Sequence, residues 1–198
     1  SFKTLQSLTV IICAAALLNP IANGKPIGQW QFDEAHFQDG ALRPTIGPWK
    51  GNAADSAKLA KEKPFALQTE KGFRGITLHE DLSKAGLPTK ALSVTAWVLV
   101  EKPIEWGGVL GAIQDNGSFE RGWILGYGKE AFYFGVASEG KQSLTYLKSS
   151  IMYSPGFWYH LAGTYDGKTQ RIYLDGKLAG ESKAQHGPII YPPTGRFV

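Results

Sequence analysis

The segment from Gly156 to Lys183 constrains the fold more than any other part of this 198-residue sequence. Residues 158–165 (WYHLAGTY) are rich in aromatic and apolar side chains, and the turn sequence DGKT precedes a second such run at 170–174. The dipeptide Asp175-Gly176 then favours a two-residue type I′ turn, in which both central residues need positive φ. The segment therefore predicts a three-strand antiparallel meander.

Short strand patterns recur along the rest of the chain. In residues 91–100 the apolar side chains alternate with a second, more polar set, which is typical of a strand in a packed sheet. Later strand patterns follow at intervals of about ten residues. Residues 78–88 fit either one helical turn or a loop. These features predict an all-β fold, a two-sheet antiparallel β-sandwich of jelly-roll type. We expect its core to contain Leu92, Val94, Ala96, Val98, Phe132, Phe134, Leu161, Ile172 and Leu174.

A family resemblance rests on the pattern W-Y-H-L-A-G-T-Y-D-G-x-x-x-R-I-Y-L-D-G-K-L at residues 158–178. It resembles LamG-like jelly-roll domains, a branch of the concanavalin A-like lectin/glucanase superfamily related to laminin G modules. Residues 92–98 and 28–34 resemble two further strands of these domains. The resemblance implies a fold rather than an activity. In such domains terminal strands return beside the first strand, so we expect this chain to be truncated at its C-terminus, with one sheet edge unpaired.

The first 24 residues predict a secretory signal peptide. Lys3 gives a basic lead, residues 8–18 form an apolar run, and Ala22-Asn23-Gly24 has the small-x-small pattern of a cleavage site. The run is shorter than the about 20 residues of a membrane span, so we expect no integral membrane segment. The single cysteine, Cys13, lies within the peptide. The sequence thus predicts a secreted or periplasmic domain over residues 25–198 that folds without disulfides.

Charge and spacing argue against several functions. The formal net charge is +4, and the basic residues are scattered along the chain, which gives no support to nucleic-acid binding. Glycosidases need two carboxyl groups about 5 Å apart or more, whereas Glu101 and Glu105 flank a turn. No zinc-ligand spacing surrounds any of the four histidines, His36, His79, His160 and His186.

A calcium site is left open by the sequence. Calcium takes oxygen ligands, which Asp33, Asp39 and Asp55 offer in one loop region and Asp115 with Asn116 in another. No Asp-x-Asp-x-Asp array accompanies them.

Aromatic side chains that face away from the predicted core form the candidate binding site. Strand alternation turns them outward while the aliphatic and phenylalanine neighbours face inward. An aromatic face with nearby polar groups suits a sugar ring. The alternative is that these side chains pack beneath loops or beneath the missing strands. The candidate residues are Tyr133, Tyr146, Arg171 and Tyr173.

These patterns predict a secreted, non-catalytic binding module. Its ligand is expected to be a glycan or an extracellular protein, and the module is expected to be attached to a larger secreted protein. One alternative is a structural spacer beside a downstream hydrolase domain, such as a phosphatase or a glycosidase. The other is a glycan-cleaving enzyme of the same fold, which the missing carboxylate pair disfavours.

Overall fold

The computed structural model describes residues 9–13, 25–53, 57–60, 66–69 and 74–198. Apart from one 3₁₀ turn at Leu82–Lys84, the regular structure in these residues is β-strand. No helix among them has the length and apolar character needed to cross a membrane. The strands are β1 (Thr9–Cys13), β2 (Pro26–Gln31), β3 (Phe37–Gln38), β4 (Ala41–Leu42), β5 (Pro44–Ile46), β6 (Gly51–Ala53), β7 (Lys58–Leu59), β8 (Leu67–Gln68), β9 (Ile76–Thr77), β10 (Leu92–Leu99), β11 (Gly107–Asp115), β12 (Glu120–Tyr127), β13 (Ala131–Val136), β14 (Thr145–Met152), β15 (Trp158–Tyr165), β16 (Gln170–Leu174) and β17 (Lys177–Ser182).

Two antiparallel sheets form the body of the fold. One sheet has 7 strands in the order β17-β16-β15-β10-β1-β2-β5, and the other has 4 strands in the order β11-β12-β13-β14. Their inner faces meet closely, because a Cβ atom added to Gly163 would lie 2.6 Å from ring carbons of Phe134. The predicted all-β sandwich of jelly-roll type is confirmed.

The core lies between these two sheets and matches the sequence prediction. All nine predicted residues are buried, and the most exposed of them, Val98, is only 8% exposed. In β10 every second residue is buried and the alternate ones are half-buried, as a period of two requires. Burial of this apolar face is the main favourable contribution to folding.

The predicted meander is confirmed in its bounds and its turn. Strands β15 and β16 pair with Leu161 opposite Leu174 and Gly163 opposite Ile172, so the apolar sides of both face the core. Between β16 and β17, Asp175 has φ 50° and Gly176 has φ 77°. Both values are positive, as a type I′ turn requires.

The Gly- and Pro-rich sequence of residues 33–63 predicts a long surface loop with one short strand. The structure shows more strand there, because strands of two or three residues are too short to show alternation. Strands β3, β4, β6 and β9 form a small sheet, and β7 pairs with β8. Trp49 anchors this region: its indole nitrogen donates to the Ala85 carbonyl at 2.8 Å, and its own carbonyl accepts from the Trp30 indole at 2.9 Å.

Strand β1 lies inside the seven-stranded sheet, between β2 and β10. Val10 pairs with Trp30 on one side and with Ala96 on the other. We expected residues 1–24 to lie outside the domain, and the structure differs at this strand. The Thr-Val-Ile-Ile run has high β-propensity and supplies backbone partners to two strand edges. Cleavage of residues 1–24 stays a prediction.

The C-terminal residues pack into the domain. Phe197 is fully buried and forms isolated bridges to His79 and Ala112. Its ring lies 5.5 Å from that of Trp49 and 6.1 Å from that of Trp123. The sequence Gly-Arg-Phe-Val at residues 195–198 predicts the start of a strand, and the structure shows two isolated bridges there instead. Truncation of the chain stays a prediction.

Shortening a core side chain should destabilise the sandwich. We expect Val94→Ala and Ile172→Ala each to lower the free energy of unfolding by about 2–4 kcal/mol, since both leave a cavity at a fully buried site. The control is Ile104→Ala, at a residue that is 50% exposed, where the change should stay within about 0.5 kcal/mol. Denaturant melts measure these values. A loss below about 0.5 kcal/mol at both core sites would falsify the strand assignment.

The turn between β16 and β17 gives a second test. Gly176→Val should lower the free energy of unfolding by about 1–3 kcal/mol, because a β-branched residue is forced to positive φ. Gly176→Asn is the matched control and should cost less, because Asn tolerates this conformation. If the two variants are equally stable in thermal or denaturant melts, the turn does not require a positive φ at position 176.

Candidate functional site

An open pocket lies on the outer face of the four-stranded sheet. Its volume is ≈ 520 Å³. It contains two of the four residues predicted for the binding site, together with a tryptophan from the segment before β11. The lining residues are Trp106, Gly108, Ile113, Asp115, Ile124, Tyr133 and Tyr146.

Tyr133 forms the base of the pocket. It pairs with Gly126 across β12 and β13, and a Cβ atom at Gly126 would lie 2.5 Å from the tyrosine ring. The missing side chain therefore lets the ring lie across the neighbouring strand. The Tyr133 hydroxyl donates to the Gly107 carbonyl at 3.0 Å, and the residue is 3% exposed. Burial raises the pKa of Tyr133 to about 12, so the hydroxyl stays protonated at neutral pH.

Tyr146 forms one wall in the same way. It pairs with Gly135 across β13 and β14, where a Cβ atom would lie 3.2 Å from its ring. Its hydroxyl donates to the Asp115 carboxylate at 2.5 Å, and the other Asp115 oxygen accepts from the Gly117 amide at 3.0 Å. Burial, with the hydrogen bond to Asp115 as a second cause, raises the pKa of Tyr146 above its usual value.

Trp106 lies over both tyrosines at the pocket mouth. Its ring centroid is 5.6 Å from that of Tyr133 and 5.1 Å from that of Tyr146, while the two tyrosine rings are 5.5 Å apart. We call these three residues the aromatic triad. Trp106 is 58% exposed, so one large apolar ring of the triad faces solvent.

The sequence prediction missed Trp106. The residue precedes β11 in a segment that does not alternate, so no strand face could be assigned to it. The available signal was a tryptophan within the polar, proline-containing stretch EKPIEW, since binding residues are frequent on loops held by a rigid scaffold.

Arg171 and Tyr173 lie on the other sheet. Their neighbours Ile172 and Leu174 are buried, so both side chains point outward from β16 in the seven-stranded sheet. The prediction that all four candidate residues share one face is therefore wrong. Alternation tells which side chains of a strand point outward but does not tell to which sheet the strand belongs.

Arg171 is engaged in structural contacts. Its Nε donates to Glu181 at 2.8 Å and its Nη1 donates to Asp166 at 3.0 Å. Burial acts to raise the pKa of Asp166, but the hydrogen bonds from Arg171 and from backbone amides outweigh it and hold the pKa below its usual value. The guanidinium thus ties the turn after β15 to β17.

The same outer face of the seven-stranded sheet carries a further aromatic pair. Trp97 lies opposite His160 in the ladder of β10 and β15, with ring centroids 5.3 Å apart. The neighbouring pair is Leu99 opposite Trp158. All four residues are half-buried.

The pocket is lined by one carboxylate and by no basic side chain among the described residues. Asp115 pairs with Glu120 in the ladder of β11 and β12, and the Glu120 carboxylate accepts from the Leu144 amide at 2.7 Å. Lys148 lies opposite Tyr133 on β14 and is exposed, but it does not line the pocket. Asp115 is therefore the one charged side chain in the pocket lining among the described residues.

The described residues supply no cluster for a metal ion. No group of three His, Cys, Asp or Glu within this part of the chain is placed to hold one. Asp33 instead accepts hydrogen bonds from Ala35 and His36 in a turn. Burial acts to raise its pKa, but these bonds outweigh it and hold the pKa below the usual value. Asp55 lies outside the described residues.

Comparison with known proteins gives one family match and two relatives. The laminin G-type model of the concanavalin A-like lectin/glucanases superfamily matches residues 72–197, which is more than half of the chain. Pappalysin-1 of Mus musculus is 28% identical over 130 residues, 60% of this chain and 8% of the relative. Pappalysin-1 of Homo sapiens is 28% identical over 153 residues, 70% of this chain and 9% of the relative. The chain spans less than a tenth of the length of these relatives.

Proposed function

Because the chain belongs to the concanavalin A-like lectin/glucanases superfamily and carries an aromatic pocket on one sheet, we propose that it is a secreted, non-catalytic carbohydrate-binding module. The observation that carries the proposal is the exposure of Trp106 at 58% above two ordered tyrosines. An exposed large aromatic ring held in place by others is a suitable surface for an apolar ligand face.

The chemistry of the pocket fits a sugar ring. The C–H face of the ring stacks on the indole of Trp106, while the Asp115 carboxylate and the Tyr146 hydroxyl accept hydrogen bonds from its hydroxyl groups. Each aromatic contact contributes about 0.5–1.5 kcal/mol. Stacking on a single ring therefore gives weak binding, and one sugar unit is expected to bind with a dissociation constant of about 1 mM, or about −4 kcal/mol.

Two observations support a role as one module of a larger extracellular protein. The region corresponds to 8–9% of the two relatives, which contain much more chain than this domain. Residues 1–24 carry the pattern of a secretory signal peptide. An extracellular protein is the other class of ligand that the sequence predicts.

The pocket gives little support to the glycan-cleaving alternative. Glycoside hydrolysis needs two carboxyl groups, one on each side of the bond that is cleaved. Among the described residues, Asp115 supplies the one carboxyl group of the pocket lining. Glu105 forms an exposed ion pair with Lys129 at 3.3 Å, and Glu101 is exposed nearby in sequence. If the domain is instead a structural spacer, no ligand binds at the pocket.

Removing the exposed indole tests the proposal. We expect Trp106→Ala to weaken glycan binding at least about tenfold, which corresponds to about 1.4 kcal/mol, because the main stacking surface is lost. Phe157→Ala is the matched control, since Phe157 is 64% exposed and does not line the pocket. A glycan array identifies a ligand for the wild-type chain, and calorimetry compares the three proteins.

Three outcomes decide against the proposal in different ways. Unchanged affinity in Trp106→Ala removes the pocket as the binding site. Release of reducing sugar by the purified protein contradicts the non-catalytic function. Absence of binding to every glycan on the array favours the spacer alternative.

A further inference from the structure

We propose that the pocket takes neutral glycans and that Asp115 excludes sulfated or carboxylated ones. This inference rests on the proposed carbohydrate-binding function and names the ligand class of the same site. It follows from the hydrogen-bonding capacity of the pocket and from the charges around it.

The two tyrosine hydroxyls have already used their hydrogen atoms. Each phenol has a single O–H donor. That of Tyr133 donates to the Gly107 carbonyl and that of Tyr146 donates to Asp115. Toward a ligand the Tyr146 hydroxyl therefore presents only lone pairs, while Tyr133 is buried at 3% exposure.

Asp115 adds further acceptor capacity. Its two oxygens accept one hydrogen bond each, from the Tyr146 hydroxyl and from the Gly117 amide. A carboxylate has about four acceptor positions, so two remain for a ligand. The side chains of Ile113 and Ile124 are apolar, and Gly108 has no side chain. Among the lining side chains, this leaves the Trp106 indole N–H as the donor.

Such a lining suits a ligand that donates hydrogen bonds. Sugar hydroxyls donate as well as accept, so they match the acceptors of Asp115 and Tyr146. A sulfate or carboxylate group only accepts, and proteins bind such groups with several N–H donors or with a cation. One indole donor beside a carboxylate does not meet this need.

The basic residues Arg121, Lys129 and Lys148 do not line the pocket. Lys129 pairs with Glu105, and the Arg121 guanidinium donates to the backbone carbonyls of Glu120 and Gln142. Lys148 is exposed on the same face but does not line the pocket. A negatively charged group that enters the pocket meets Asp115, the one charged side chain of the lining among the described residues, and like charges in contact repel each other.

Matched pairs of neutral and sulfated sugars test the inference. The probes are lactose with 3′-sulfolactose and N-acetyllactosamine with its 6-sulfated form, measured by calorimetry on the full chain. We expect the wild type to bind the neutral member at least about tenfold more tightly. Asp115→Asn, which replaces a charged acceptor by an amide donor of similar size, should reduce this preference to less than about threefold.

A control variant and a salt series separate the effect of the charge at the pocket from the effect of the protein's net charge. Glu34→Gln removes the same charge from an exposed residue outside the pocket and should leave the preference unchanged. In the wild type, added salt should reduce the preference, since screening weakens repulsion between exposed charges. This second measurement needs no variant at Asp115.

Each contrary result has a separate meaning. Equal or tighter binding of the sulfated members, lost in Trp106→Ala, overturns the inference and leaves the proposed function intact. If none of the four probes binds and no glycan on the array binds, both the inference and the proposed function are overturned. A neutral preference that persists in Asp115→Asn overturns the assignment of the exclusion to Asp115.

Discussion

The packing of Phe134 against Gly163 is the contact on which both the core and the pocket depend. Phe134 belongs to the four-stranded sheet and Gly163 to the seven-stranded one, and a Cβ atom at Gly163 would lie 2.6 Å from the phenylalanine ring. The glycine lets the two sheets approach closely around an aromatic core. Because side chains alternate along a strand, the inward position of Phe134 turns the adjacent Tyr133 outward. The core of the sandwich thus determines the base of the binding pocket.

The same pairing of glycine and aromatic ring recurs on the outer face, where it shapes the pocket. Gly126 accommodates Tyr133, and Gly135 accommodates Tyr146. Glycine in a strand costs conformational entropy and contributes no packing of its own, so these positions weaken the sheet locally. The compensation is that two tyrosine rings are fixed by backbone contact and by hydrogen bonds before any ligand binds. Such a preorganised site loses less entropy on binding than a flexible one.

The sequence predicts the core well because alternation and turn chemistry act locally. The apolar face of β10 and the Asp175-Gly176 turn are both readable from neighbouring residues, and the structure confirms them. The site depends on which strands share a sheet, which local patterns do not contain. Tyr173 points outward from its strand as Tyr146 does, but its strand belongs to the opposite sheet. The sequence does not predict β1, because an apolar run suits both a signal peptide and a strand.

The central claim is that a ligand binds to the outer face of the four-stranded sheet. The most direct measurement follows the indole N–H resonances of the six tryptophans while a neutral glycan found on the array is added to the isotope-labelled protein. Trp106 lines the pocket, whereas Trp97 and Trp158 lie in the opposite sheet. If the ligand binds at the pocket, the Trp106 resonance shifts and saturates with ligand, while those of Trp97 and Trp158 stay unchanged. Saturable shifts at Trp97 or Trp158, with Trp106 unaffected, would contradict it.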